Sequence, residues 1–131
     1  FAKQVSLQEL KNTADVISLH VPLTDSTHYL VDGDFINSMQ KEFYFVNTAR
    51  GKNVETKSLV VAIKSGKVKA AALDVIEYEK ASFENLESNN PDLEFLLNSE
   101  KVIVTPHIAG WTHQSKHKLA QFIVDKILQT L

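Results

Sequence analysis

The sequence has no cysteine, which excludes disulfides, thiolate catalysis and cysteine-based zinc sites and permits an intracellular setting. Glycine is scarce: Gly33, Gly51, Gly66 and Gly110 are the only four. None of them forms a G-x-G-x-x-G string, so the chain lacks the turn that cradles a dinucleotide pyrophosphate. No apolar run approaches a membrane span, and no dense lysine or arginine cluster accompanies the formal net charge of -2. Neither nucleic acid nor a membrane is therefore expected as a partner. The chain opens on Phe1 rather than methionine, with no basic-then-apolar leader before it. The expectation is a piece of a longer cytoplasmic protein.

What is present is the composition of one ordinary globular domain, 131 residues that are 44% hydrophobic and 23% charged. Short apolar runs at Val16–Val21, Phe43–Val46, Ala70–Leu73 with Val75, and Val102–Val104 have strand length. Their near-continuous apolarity predicts parallel strands buried on both faces. Between them lie helix signals. Ser6 with Glu9 is a capping-box pattern before Leu7 and Leu10, and a second helix starts near Asp32 with Phe35, Ile36 and Met39. A third begins at Glu55 or Thr56 and stops at Ser65-Gly66, where glycine can turn left-handed. Pro91 opens a short fourth with Leu93, Phe95, Leu96 and Leu97. The last, from about Thr112 to Leu131, is amphipathic through Leu119, Ala120, Ile123, Val124, Ile127, Leu128 and Leu131. The alternation predicts an α/β fold, a partial doubly wound, Rossmann-like parallel sheet with flanking helices that lacks its first βαβ unit. The acidic, Asn- and Ser-rich stretch from Ile76 to Asn90 is expected to be a long surface loop.

Polar signatures follow the strand runs: His20-Val21-Pro22-Leu23-Thr24, Asn47-Thr48-Ala49-Arg50-Gly51, Leu73-Asp74-Val75 and then Glu79, and Thr105-Pro106-His107-Ile108-Ala109-Gly110. Groups that each follow a strand of a parallel sheet converge on its carboxyl edge, where open α/β sheets carry their chemistry. In this order they resemble the second half of the nucleotide-binding domain of the D-isomer-specific 2-hydroxyacid dehydrogenases, from about Leu7 to Leu131. The resemblance implies that residues 1–131 are the carboxyl-terminal part of an NAD-binding Rossmann domain, with the helix from about residue 112 returning toward a substrate domain outside the chain. It further implies NAD as cofactor, with NADP open because the discriminating region is absent, a small 2-hydroxy or 2-oxo acid as substrate, and a homodimeric parent.

The chemistry asks for these residue types. Hydride transfer between a 2-hydroxy acid and a nicotinamide needs a proton donor and acceptor and a cation for the substrate carboxylate. Imidazole titrates near neutrality, so His107 suits the first role, and the guanidinium fork of Arg50 suits the second. A carboxylate hydrogen-bonded to the histidine would fix its tautomer. The resemblance assigns that carboxylate to Glu79, with Glu77 as the competing carboxylate two residues earlier, and makes Arg50, Glu79 and His107 the catalytic set. It places His20, Val21, Pro22, Thr48, Ala49, Asp74, His107, Ala109 and Gly110 along the cofactor. Taken singly, Arg50 reads as a solvated loop residue, His107 as a cap of the last helix and Asp74 as a cap of its loop.

The tract from Leu73 to Leu86 is similar to D-3-phosphoglycerate dehydrogenases, which implies that substrate, with glycerate, lactate and longer 2-hydroxy acids open. Two other readings stand beside catalysis: a binding module like the corepressors built on the same fold, and an inactive truncated remnant. His113 and His117 have a metal-ligand spacing on one helix face but no acidic partner, and no metal site is expected. Trp111 either walls a substrate pocket or staples the last helix to the sheet.

Overall fold

The computed structural model describes residues 2–78 and 90–130. Helix α1 (Leu7–Thr13) leads into strand β1 (Val16–Leu19), and α2 (Gly33–Ser38) precedes β2 (Phe43–Asn47). A 3-10 turn (Gly51–Asn53) and α3 (Thr56–Ser65) connect to β3 (Val68–Leu73). Helix α4 (Pro91–Asn98), β4 (Val102–Val104) and α5 (His113–Leu128) complete the chain.

The helix ends follow local chemistry. Ser6 accepts the Glu9 amide, Asp32 the Phe35 amide, Asn90 the Asp92 and Leu93 amides, and Thr112 the Ser115 amide. Each side-chain oxygen satisfies amides that have no partner inside their own helix. Gly66 closes α3 at φ 84°, a conformation that costs a residue without a Cβ little. The third strand starts earlier than the apolar run suggests, because Val68 is wholly buried and pairs with Phe43, while a register shift leaves Lys69 on the surface.

All strand pairs are parallel, in the order β1-β2-β3-β4. Alternate residues of the strands, among them Ile17, Leu19, Phe43, Phe45, Val68, Ala71 and Leu73, point into one core with Phe35, Ile36, Leu59, Val60, Ile63, Leu93 and Leu96 of the helices. The opposite face is not covered by the described residues: Val16, Tyr44 and Ile103 are exposed. This differs from burial on both faces. Strands added in one direction by crossovers of one hand put every connecting helix on the same side, and covering the other side requires a reversal of direction. Helix α5 does not cover it either, since none of its residues is buried and Leu119, Ile123 and Ile127 are exposed. Leu131 lies outside the described residues. No described helix is long and apolar enough to cross a membrane.

Candidate active site

Because the strands are parallel and aligned, His20, Thr48-Ala49-Arg50, Asp74 and Thr105–Gly110 all leave the same edge of the sheet. Adjacent loops are bonded there: the Asp74 amide donates to the Asn47 carbonyl at 2.9 Å and the Thr105 amide to the Leu73 carbonyl at 2.9 Å.

The Asn47–Gly51 turn is shaped by Asn47, which is 1% exposed. Its Oδ1 accepts the Ala49 amide at 3.0 Å and its Nδ2 donates to the Arg50 carbonyl at 3.0 Å. A buried side chain thus holds both ends of the turn and leaves the Arg50 side chain exposed. The guanidinium Nη1 donates to the Ala49 carbonyl at 2.7 Å. Arg50 opens on a cleft of about 250 Å³ lined by Leu23, Gly51, Lys52, Ile76 and Glu77 as well. A larger hollow of about 390 Å³ between α2 and α3, lined by Gly33, Ile36, Glu55 and Ser58 among others, contains none of the edge residues. Of the two, the smaller cleft is the one that contains Arg50 of the sheet edge.

Asp74 is 4% exposed and organises the last loop. One carboxylate oxygen accepts the Thr105 hydroxyl at 2.6 Å and the Ile108 amide at 2.8 Å, and the other accepts the Ala109 amide at 2.9 Å. Its carbonyl accepts the His107 amide at 2.9 Å. Burial pushes the carboxyl pKa upward, but the bonds from Thr105, Ala109 and Ile108 and the adjacent His107 outweigh it and hold the group below the ordinary carboxylate value. His107 sits at φ 55°, a left-handed conformation unusual for a residue with a side chain. Four bonds to one aspartate hold the turn that imposes it. The Asp74 carboxylate is therefore engaged by the chain's own 105–109 turn.

Of the other residues expected along the cofactor, His20 is exposed with its Nε2 2.8 Å from Ser18 Oγ. Val21 and Thr48 are half-buried, Ala49 is buried, and Pro22, Ala109 and Gly110 are exposed. Glu79 lies outside the described residues. Glu77 is engaged elsewhere: its Oε1 accepts the Tyr29 hydroxyl and its Oε2 the Thr56 amide at 3.0 Å. The bond to Glu77 and, less strongly, burial push the Tyr29 pKa up to about 12. Trp111 is 72% exposed, so it does not staple α5 to the sheet. His113 and His117 are exposed on α5. Asn47 and Tyr29 are the residues that sequence reasoning left off the site. The position of Asn47 inside the Asn-Thr-Ala-Arg-Gly signature was the available signal for the first, and nothing local marks the second.

A parallel sheet with its polar groups collected on the carboxyl edge defines an α/β nucleotide-binding type of domain. The model of the family "D-isomer specific 2-hydroxyacid dehydrogenase, NAD binding domain" matches residues 1–109, and the chain belongs to that family. It is 40% identical over 112 residues to a D-lactate dehydrogenase of Treponema pallidum, covering 82% of this chain and 34% of that one. It is 36% identical over 125 residues to a glyoxylate reductase of Thermofilum pendens, covering 95% of this chain and 34% of the relative. The NAD-complexed structure of the D-isomer specific 2-hydroxyacid dehydrogenase from Lactobacillus delbrueckii ssp. bulgaricus superposes with a TM-score of 0.80 at 28% identity, covering 96% of this chain and 39% of that one. The chain spans about a third of the length of the curated relatives it matches.

Proposed function

We propose that the chain is the carboxyl-terminal part of the NAD-binding domain of a dehydrogenase that moves a hydride between NAD(H) and C2 of a D-2-hydroxy acid or 2-oxo acid. The observation that carries the reading is the turn at His107, held in a left-handed conformation by Asp74 on the sheet edge that also presents Arg50. Strain of this kind is retained where a side chain must be aimed.

The residues suit the nicotinamide end of the cofactor. Ala49 and Asp74 are buried at the strand ends, and His20, Pro22, Ala109 and Gly110 are exposed on the same edge. The pyrophosphate cradle belongs to segments other than these, since no G-x-G-x-x-G array occurs here. NAD supplies a hydride donor and acceptor when bound. His107 holds or releases the proton of the substrate C2 oxygen, and Arg50 binds the substrate carboxylate through two parallel N–H bonds. Glu79 supports the His107 imidazole. Asp74 acts through the turn, by fixing where the His107 ring leaves the backbone.

The substrate class is supported by relatives named as D-lactate dehydrogenase, glyoxylate reductase and aromatic 2-oxoacid reductase. D-3-phosphoglycerate, suggested by the tract from Leu73 to Leu86, is the more specific alternative. A cytoplasmic homodimer is the accompanying proposal, with α5 returning to the substrate domain. The test is NADH oxidation by a full-length parent against pyruvate, glyoxylate, phenylpyruvate and 3-phosphohydroxypyruvate. Turnover with any of these that is lost in His107→Ala supports the reading, and no turnover with the whole panel overturns it.

A further inference from the structure

Three loops from three strand ends meet around Arg50. On one side the loop after β1 is bonded to the Arg50 loop: the Tyr29 amide donates to the Lys52 carbonyl at 2.9 Å, the Val31 amide to the Asn53 carbonyl at 3.0 Å, and Asn53 Nδ2 to the Thr27 carbonyl at 2.9 Å. On the other side the loop after β3 presses on it, so closely that a methyl group at Gly51 would lie 2.1 Å from the Ile76 carbonyl oxygen. Among the described residues the two outer loops are joined by a side-chain hydrogen bond, the Tyr29 hydroxyl donating to Glu77 Oε1. The other oxygen of Glu77 accepts the Thr56 amide at 3.0 Å, at the first residue of α3. This is the helix end that receives negative charge favourably; Glu55 at the cap caps none of its amides, its carboxylate accepting the Ser58 hydroxyl instead. Tyr29 itself stands at φ 49°, a conformation disfavoured for a bulky residue, which aims its ring at Glu77.

We propose that Glu77 is a positioning residue for Arg50, closing a ring of loops with Tyr29 and the amino end of α3 that sets where the guanidinium faces the substrate carboxylate. The inference rests on the reading of Arg50 as the carboxylate-binding cation. It assigns Glu77 a task different from that of a carboxylate paired with the histidine. Both of its oxygens already accept bonds from Tyr29 and Thr56. What the ring needs is an acceptor at Thr56 and a partner for the Tyr29 hydroxyl, and a glutamine amide supplies both without charge.

The experiment measures kcat and KM for pyruvate and glyoxylate, and NADH affinity by fluorescence, in Glu77→Ala, Glu77→Gln, Tyr29→Phe and Arg50→Ala of a full-length parent. A misaimed guanidinium should raise the 2-oxo acid KM by roughly 10- to 100-fold in Glu77→Ala, and by about 3- to 10-fold in Tyr29→Phe, with NADH affinity within about threefold of the parent. Glu77→Gln should keep KM within about threefold. Glu77→Gln as damaging as Glu77→Ala overturns the proposal in favour of a role for the charge itself. Tyr29→Phe with unchanged KM also overturns it, and decides the matter if Glu77→Ala does not fold. Arg50→Ala separates the two levels: if it leaves KM unaltered, the reading of Arg50 fails, whereas a large rise in KM beside a silent Tyr29→Phe sinks only the ring.

Discussion

The His107 amide donates to the Asp74 carbonyl at 2.9 Å, and the Asp74 carboxylate then accepts the amides of the two residues that follow His107. One buried aspartate at the end of β3 thereby shapes the whole loop after β4. It has no need to contact a substrate to govern what His107 can do.

Removing the proposed proton carrier is the most direct check. In a full-length parent, His107→Ala should lower turnover by roughly 10² to 10⁴, with NADH affinity little changed. Steady-state kinetics beside a fluorescence titration measure both, and near-normal turnover would contradict the role.

Arg50→Lys keeps the charge but not the fork. A point charge cannot make two parallel bonds to a carboxylate, so the 2-oxo acid KM should rise by about tenfold, with a slower chemical step. An unchanged KM would show that the guanidinium geometry is not used.

Asp74 should make stability depend on acid pH. Its folded pKa is below the unfolded value, so its contribution is present above the unfolded pKa and disappears as pH falls through the folded one. The loss should begin below about pH 4. Asp74→Asn cannot accept on both sides, and should cost about 1–3 kcal/mol at neutral pH while flattening that acid limb. Urea denaturation from pH 2 to 7 gives both quantities.

Tyr29 predicts the opposite limb. With its pKa raised from 10.0 to about 12, the phenol is protonated in the folded chain at pH values where the unfolded one has ionised. Its contribution is complete below pH 10.0 and is lost as pH rises toward 12. Tyr29→Phe should weaken this alkaline dependence, which ultraviolet-monitored titration of the folded protein against the variant would detect.

Gly51→Ala tests the close approach of two loops. The added methyl would meet the Ile76 carbonyl oxygen at 2.1 Å, so one backbone must move, at a cost of about 1–3 kcal/mol. Thermal unfolding that is indistinguishable from the parent would mean that the loops separate freely.

The local features were legible in the chain because they depend on neighbours a few residues apart. Ser6, Asp32 and Pro91 mark helix starts through nearby amides, Gly66 marks a stop through its own backbone, and the alternation of runs implies a parallel sheet with its signatures on one edge. By itself the sequence determined the elements, the α/β class and the family to which the chain belongs. It did not determine which face of the sheet would be covered, because an apolar residue such as Ile103 or Tyr44 reads alike whether or not a helix lies over it. Nor could it distribute the work of the carboxylates. Asp74 became the builder of the His107 turn, and Glu77 the link between Tyr29 and Thr56, only when parallel pairing brought loops distant in sequence within hydrogen-bond reach. Those partners are chosen by the register of β2, β3 and β4, which is a property of the packed sheet and not of any stretch of chain.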